Sequence, residues 1–574
     1  MLDLSPLLPE THTSTRIADH GNEEPRVADP SLAGRLSRFL SPQVEDNRRV
    51  QPASAFPKVS REDWAAFANK LSQFDSVLPD NYELPSRHAM TRYLHRFMNG
   101  FQPHFPILHA PTLSVKEMAP ELLLAMAATG SQYCLEPHQG LKLFSYAHEI
   151  ALEQIRRRDL EHQSTNRQSL SKEMPGEQLT SDNRPRQGPR MANEYGMVET
   201  TQALFYLMAM ATWNVTNRSL MRHAVATPSM LAMLVRQHGL IEQSHDIPSW
   251  EDWSREESAR RTKLIIFCFF NLHSIAMNLP SPIMLSEIEL FLPCSESEWR
   301  AVDAESWNML HRQSESPPLF QDYLACLNTN TRVPPCSALS SHVMIHALIQ
   351  RISTLRQASL EPPLSRWQTG WEQNPESSLT PLDRHGPIAF NSTALYRLAY
   401  IRLAVDIGPA RSFLEQDDVQ IVHRLKQLPP LKRGPLLTLA ARHALAALCP
   451  PVQMGIFFIG QGHSWSVMHA VCSLDYAYLL SQFLKATTST TLEYPLDTDE
   501  QSIVRAAKEI LSEVEASRPD GNPALVNATP GVLAAKVVRA WATILENVRT
   551  WNAVTMITTT LFTYADYLEK NVGP

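Results

Sequence analysis

Cysteine is scarce in this chain of 574 residues, and the few cysteines are scattered. The seven lie at positions 134, 268, 294, 326, 336, 449 and 472, with no CxxC pair among them. A two-Cys two-His finger or a six-cysteine binuclear zinc cluster needs ligands close together in sequence, because they converge on one small site. The spacing excludes both. We expect no bound metal, and we expect isolated thiols such as Cys268 to be small core residues.

Positive charge is also in deficit. The chain has 52 Lys and Arg against 59 Asp and Glu, which gives a net charge of −7. This balance argues against an overall electrostatic attraction to nucleic acid or to anionic lipid, so any DNA contact needs a local basic patch. Basic clusters occur at 156–158 and 184–190. They fit either a nuclear-import signal or a solvated helix end followed by a polar loop.

Long apolar runs are missing. The longest, 264–277, is interrupted by Asn271 and His273. It falls short of the ~20 residues that a membrane-spanning helix needs. The amino terminus has neither the basic start nor the apolar run of a signal peptide. We therefore expect no membrane insertion and no secretion.

Complete catalytic patterns are missing as well. Residues 462–466 read Gly-His-Ser-Trp-Ser, which approaches the nucleophile elbow of hydrolases but has serine in place of the second glycine. His148 begins an H-E-x-x-H zinc pattern that ends in Leu152 instead of histidine. The histidines at 88, 95, 104 and 109 match no metal-ligand spacing. We expect no catalytic residue and no cofactor, and we predict that the chain is not an enzyme.

Proline, by contrast, is frequent, with 42 residues against 19 glycines. Apolar residues recur three and four positions apart in most segments, which indicates helices broken by rigid connectors. We predict an all-α fold, a large multi-helix regulatory domain over 61–574 with polar loops near 159–192, 313–340 and 358–386. Residues 1–60 are rich in Pro, Ser and charge without a sustained period, which predicts a disordered tail.

A first distinctive segment, 101–111, reads Phe-Gln-Pro-His-Phe-Pro-Ile-Leu-His-Ala-Pro. It follows a helix for which Ser86 is the predicted N-cap. Its three prolines forbid a continuing helix. Its phenylalanines, Ile107 and Leu108 supply apolar anchors, so we expect the segment to pass through the core in an extended conformation.

A second segment, 250–299, contains the best-specified helix of the sequence. Ser254 followed three residues later by Glu257 fits a capping box. Glu257 also lies four residues before Arg261, which is the spacing of an ion pair across one helical turn. The run 264–277 is apolar on nearly all sides, which predicts a buried central helix.

These two segments together resemble the fungal-specific transcription factor domain, the regulatory domain that follows the zinc fingers in many fungal regulators. The second segment shares with that family an acidic residue followed by paired arginines, a Pro-containing turn, and a Leu-Pro-Cys before a tryptophan. The resemblance covers roughly 84–570 and is closest in pattern to members with two-Cys two-His fingers, although the finger itself is missing here. By resemblance, the motif residues with a structural or regulatory role are Phe101, His104, Phe105, Pro106, His109, Trp250, Trp253, Glu257, Arg260, Arg261, Pro293 and Trp299.

The resemblance implies a nuclear transcription regulator that contacts the transcription machinery or another transcription factor. Members of the family often control metabolic or secondary-metabolite gene clusters. The missing finger keeps a second hypothesis open, an interaction protein that scaffolds or titrates a full-length regulator. Direct DNA contact is expected only where a partner or a missing exon supplies a finger, and self-association into a homo-oligomer stays open.

Overall fold

A computed structural model describes residues 58–571, apart from 172–186, 244–248, 330, 356–359, 460–464, 489–494, 519–524 and 526–527. The described residues form twenty α-helices and no β-strand, with two isolated β-bridges. The predicted all-α fold is confirmed. The disordered tail predicted for 1–60 lies outside the described residues except for its last three. Of these, Val59 is buried and Ser60 caps the first helix.

The amino-terminal group contains seven of the described helices. They are α1 Arg61–Leu71, α2 Arg87–Gly100, α3 Pro120–Gln132, α4 Pro137–Ser171, α5 Gln187–Trp213, α6 Arg218–His238 and α7 Trp250–Met277. Every residue of α3 is buried, and the helix packs on α2, α4 and α5. α2 begins at the predicted cap, because Ser86 Oγ accepts a hydrogen bond from Ala89 N at 3.2 Å.

The middle helices are short except for α11 and α12. They are α8 Glu296–Trp299, α9 Ala304–His311, α10 Phe320–Asn328, α11 Ala338–Leu355 and α12 Glu361–Gln373. α11 packs on α7, and α10 packs on α12. The middle group is therefore joined to the amino-terminal group through the contact of α11 with α7.

The predicted loop boundaries were wrong, because each loop is partly helical. α4 runs through to Ser171 and α5 begins at Gln187, inside the loop predicted near 159–192. Residues 159–171 contain neither Pro nor Gly to stop a helix. α10 occupies part of 313–340, because its buried residues recur at helical spacing. α12 occupies part of 358–386, because its two prolines lie in the first turn, where a missing N–H costs little.

The carboxyl-terminal group contains eight of the described helices. They are α13 Ile388–Ala404, α14 Gly408–Arg411, α15 Asp418–Gln427, α16 Pro435–Met454, α17 Val467–Thr488, α18 Thr498–Ala516, α19 Pro530–Leu545 and α20 Asn552–Lys570. α13 packs on both α11 and α17, which joins these helices to the middle group. Buried apolar side chains of most helices between α1 and α20 form one continuous cluster, and those of α8 and α9 belong to a second, small cluster. None of the described helices combines the length and the apolar character that crossing a membrane requires.

The segment 101–111 lies in the core beside α7. It is buried as expected, but it is not extended throughout, because short 3-10 turns form at Gln102–His104 and Ala110–Thr112. A hydrogen bond from Gln102 Nε2 to Leu108 O at 2.9 Å closes the segment on itself. Ser258 Oγ of α7 donates to Ile107 O at 2.6 Å. The two motif segments are therefore in direct contact.

Close helix packing at Gly130 generates a stability prediction. A Cβ at this position would lie 2.0 Å from Tyr93 O of α2. We predict that Gly130→Ala forces α2 away from α3 and lowers the free energy of unfolding by ~1–3 kcal/mol, although alanine is the better helix former. The control is Gly531→Ala in the first turn of α19, where a Cβ would meet its nearest atom at 3.8 Å. Urea unfolding of both variants measures the difference, and equal stability would contradict this packing.

Candidate functional site

The side chain of Glu257 lies at the centre of the second motif segment. It is fully buried in α7. Its Oε1 accepts hydrogen bonds from Arg261 Nε at 2.9 Å and from Cys294 N at 3.0 Å, and its Oε2 accepts one from Arg260 Nη1. The predicted pair between Glu257 and Arg261 is therefore present. The carboxylate of Glu257 also holds the segment around Cys294 against α7. The spacing of residues within one helix does not reveal this contact.

The predicted capping box at Ser254 was wrong. α7 begins one turn earlier, at Trp250, because Ser249 Oγ accepts a hydrogen bond from Asp252 N at 3.1 Å. Ser254 lies inside the helix, and its hydroxyl donates to Glu251 O at 2.9 Å. Ser249 is also followed by an acidic residue three positions later, so the sequence offers two similar start signals. The earlier start leaves Glu257 free to bind the arginines.

Arg260 connects α7 to two further segments. Its Nε donates to Glu242 Oε2 at 2.9 Å. The same carboxylate accepts a hydrogen bond from Phe291 N at 3.2 Å, and the backbone of Glu242 pairs with Glu289 O at 3.0 Å. Glu242 was not among the predicted residues, because it lies 18 positions before Arg260, outside the same helix. It supplies the second negative charge that balances the two arginines.

Arg261 is enclosed by polar and aromatic groups. Its Nη2 donates to Cys294 O at 3.3 Å, and its guanidinium carbon lies 4.0 Å from the centre of the Trp299 ring. Glu296 Oε2 lies 3.8 Å from Nη1. The ring face and the carboxylates both favour the buried cation. Arg261 therefore anchors the start of α8, which contains Glu296 and Trp299.

The charges of the arginines control the ionisation of Glu257. Burial alone would raise the pKa of this carboxyl, but the positive charges of Arg260 and Arg261 outweigh burial and lower its pKa. Both oxygens already accept hydrogen bonds. A carboxylate that is ionised and fully occupied is suited to holding segments together rather than to proton transfer.

Aromatic rings of both motif segments pack together beside Arg261. The ring centre of His109, from the first motif segment, lies 4.7 Å from that of Trp299 and 5.6 Å from that of Trp250. Trp253 packs on Trp307 at 5.2 Å. His109 Nδ1 lies 2.9 Å from Thr112 Oγ1. Burial and the nearby charge of Arg261 lower the pKa of His109 to about 4, so its ring is neutral in the folded protein.

The structure separates the motif residues into two groups. Eight belong to the cluster that contains Glu257: His109, Trp250, Trp253, Glu257, Arg260, Arg261, Pro293 and Trp299. Pro293 takes part through its carbonyl oxygen, which accepts hydrogen bonds from Ser337 Oγ and Ser340 Oγ at 3.0 Å each.

The remaining motif residues, Phe101, His104, Phe105 and Pro106, are buried away from that cluster. The rings of Phe101 and Phe105 lie 4.9 Å apart and belong to the apolar core. His104 Nδ1 lies 3.0 Å from Asn391 Nδ2 of α13, which is 287 positions away along the chain. No local sequence signal could reveal that contact. Within the part of the chain that the structure describes, no three His, Cys, Asp or Glu side chains converge to hold a metal ion.

The buried carboxylate generates a second stability prediction. Glu257→Ala leaves Arg261 buried without its main partner, and loss of one member of a buried pair typically costs ~3–5 kcal/mol. The control is Arg255→Ala, which removes an exposed partner of Asp252 on the same helix and should cost less than ~1 kcal/mol. Urea unfolding separates the two cases. Equal losses in the two variants would show that the cluster around Glu257 does not carry the stability assigned to it.

The neutral ring of His109 generates a prediction about acid. Below pH ~6.5 the unfolded chain binds a proton on this histidine, whereas the folded protein binds it only near pH 4. Stability should therefore fall as the pH drops from 6.5 to 4, by at most ~1.4 kcal/mol per pH unit for this group. Because other buried histidines contribute in the same direction, the measurement is the difference from His109→Gln. Urea unfolding at pH 7, 6 and 5 should give the variant a shallower slope, and an unchanged slope would refute the assignment.

Two family models match the chain. The model of the fungal specific transcription factor domain matches residues 94–371, and the model of the fungal transcription factor C-terminal domain matches residues 406–563. The first region contains every motif residue named above. No zinc-finger family matches.

One curated relative is zinc finger protein klf1 of Schizosaccharomyces pombe, which is 25% identical over 300 residues. The match covers 48% of this chain and 34% of the relative, so the chain spans about a third of that protein's length. No solved structure matches the chain. The two matched regions show that the chain belongs to the fungal-specific transcription factor domain family.

Proposed function

We propose that this fungal-type regulator acts in the nucleus through protein contacts of its helical body, and that its targets are genes of a metabolic or secondary-metabolite cluster. The observation that carries the proposal is the match of both regulatory regions, 94–371 and 406–563. The name of the matching relative describes a zinc finger protein, which supports a place in transcription. The partners proposed are the transcription machinery or another transcription factor.

The chemistry of the motif cluster supports a role without catalysis. Glu257 and Arg261 are fully buried and Arg260 is 11% exposed. The three side chains are engaged with one another, with Glu242 and with the backbone of Cys294. A catalytic group must reach a substrate, whereas Glu257 and Arg261 have no exposed side-chain surface and Arg260 has little. We therefore propose that the chain is not an enzyme and that the motif residues maintain the shape of the regulatory domain.

The contacts of the basic cluster 156–158 favour a helix end over a nuclear-import signal. Arg156 and Arg157 pair with Glu153 at 2.6 and 2.7 Å, and Arg158 Nη2 donates to Gly196 O at 2.7 Å. Arg157 also lies over the ring of Phe74 at 4.4 Å. The side chains of the second cluster, 184–190, lie outside the described residues. Nuclear entry is therefore proposed from family membership alone.

A second candidate function rests on one specific observation, the lack of any zinc-finger pattern in the 574 residues. The net charge of −7 also supports this candidate, because such a chain has no general electrostatic attraction to DNA. The candidate is an interaction protein that scaffolds or titrates a full-length regulator. It predicts that co-expression lowers the output of a reporter driven by a finger-bearing fungal regulator.

A reporter assay distinguishes the two functions. Fused to an unrelated DNA-binding domain in a fungal host, the chain should change the output of a reporter that carries the site of that domain. Gly531→Ala should keep this effect and Gly130→Ala should reduce it, because the regulatory surface depends on the fold. By itself, the chain should bind duplex DNA weakly and without sequence preference.

Two outcomes would contradict this account. Tight, salt-sensitive and sequence-specific DNA binding by the isolated chain would show that a groove-reading element is present after all. A fusion that is folded and nuclear but leaves the reporter unchanged would favour the titrating protein. Immunoblotting and fluorescence microscopy of the fusion establish that it is intact and nuclear.

A further inference from the structure

A single turn of α13 contacts histidines from both matched regions. α13 lies between those regions in the sequence. Asn391 Nδ2 lies 3.0 Å from His104 Nδ1, and Ser392 Oγ lies 3.0 Å from His342 Nδ1 of α11. Both of these histidines belong to the first matched region. This turn of α13 is therefore attached to the first matched region through two imidazole rings.

The preceding residue of α13, Phe390, contacts the second matched region. Its ring stacks on that of His469 of α17, with the ring centres 4.3 Å apart. In α11, His346 follows His342 by one helical turn, and their ring centres lie 4.8 Å apart. None of the four histidines is more than 4% exposed. We call these four residues the histidine cluster: His104, His342, His346 and His469.

The histidine cluster offers few hydrogen-bond acceptors. Among the described residues, neither ring nitrogen of His346 has a hydrogen-bond partner, and neither has Nε2 of His469. A protonated imidazole carries a positive charge and two N–H donors. Such a group is costly to bury unless acceptors or a counter-ion surround it. These rings can therefore take up a second proton only when water reaches the cluster.

No negative charge is available to compensate a protonated ring. α11, α13 and α16 contain no Asp or Glu. The acid of α17, Asp475, pairs with Arg402 and Arg411. The acids of α7, α12 and α20, which pack on α11, α13 or α17, are not among the groups that act on the rings of residues 342, 346 and 469. The groups that do act on them are other histidines of the cluster and Arg397 of α13.

Burial keeps these rings neutral in the folded protein. Burial, and secondarily the neighbouring His104, lower the pKa of His342 to about 3. Burial also lowers the pKa of His346 and of His469 well below the usual value. In an open, hydrated cluster each ring would titrate near pH ~6.5. The closed form is therefore fully favoured above pH ~6.5 and loses stability as the pH falls below it.

We propose that the histidine cluster is a pH-sensitive connection between the two matched regions, which opens when residues 342, 346 and 469 take up protons and thereby releases α13 from α11 and α17. Opening itself does not rest on the proposed function. Its consequence for transcription does, because opening changes the surface that these three helices present together.

Hydrogen exchange of the full chain, followed by mass spectrometry at pH 7.5 and 5.5, tests the opening. Each open histidine should raise the opening constant about tenfold between these pH values, so three should raise it about a thousandfold. The amides of α13 should lose protection by that factor after correction for the intrinsic pH dependence of exchange. The amides of α3, which does not contact the histidine cluster, should keep their protection.

Two variants remove one proton site each and keep a ring in its place. His346→Phe and His469→Phe should each reduce the response of α13 from about a thousandfold to about a hundredfold. The control is His273→Phe, because His273 of α7 is also buried and burial lowers its pKa to about 4, but it lies outside the cluster. The control should keep the full response. Thermal unfolding establishes that each variant is folded, and if one of the two does not fold, the other decides.

Three results would overturn the proposal: unchanged protection of α13 at pH 5.5, an equal loss of protection in α3 and α13, or a full response in a folded variant of the cluster. A reporter fusion tests the regulatory consequence separately, in host cells at neutral cytosolic pH and in cells acidified with acetic acid. A fusion that is silent under both conditions would count against the proposed function and leave the exchange result intact. Unchanged protection of α13 with an active fusion would count against the histidine cluster alone.

Discussion

The motif region depends on the ion pairs and the hydrogen bond that the buried carboxylate of Glu257 makes. This carboxylate binds two arginines of its own helix and the backbone N–H of Cys294, 37 positions further along the chain. Arg260 extends this contact to Glu242, and Arg261 extends it to Trp299. An isolated buried carboxylate would be costly, but here each charge has a partner and most hydrogen-bonding groups are occupied. Glu257 and its two arginines therefore join α7 to α8 and to residues 289–294.

This arrangement explains why the two distinctive sequence segments belong to one structure. His109 comes from the first segment and packs among the tryptophans of the second. Ser258 of α7 binds the backbone of the first segment directly. The rest of that segment continues into the core, where His104 reaches α13 in the carboxyl-terminal half. The motif residues therefore act as connections between distant parts of the chain, which fits a regulatory body that works by its shape and surface.

Sequence alone could predict the local features and not the distant ones. The cap at Ser86 and the pairing of Glu257 with Arg261 depend on spacings of three and four residues, which a helix fixes by its geometry. The start of α7 was misplaced because two serine signals compete within five residues. The helices 320–328 and 361–373 were missed because nearby Pro and Ser residues obscure their apolar spacing. The contacts of Glu242, Cys294 and Asn391 depend on the tertiary fold, which no single-sequence pattern determines.

A double-mutant cycle tests the central claim, that Glu257 and Arg261 act as one buried unit. The free energies of unfolding of Glu257→Gln, Arg261→Met and the double variant would be measured by urea titration. Residues in one buried network typically show coupling of ~0.5–3 kcal/mol. The account predicts that the double variant loses at least ~1 kcal/mol less than the sum of the single losses, because each single change leaves a buried partner unsatisfied. Losses that add to within ~0.5 kcal/mol would contradict it.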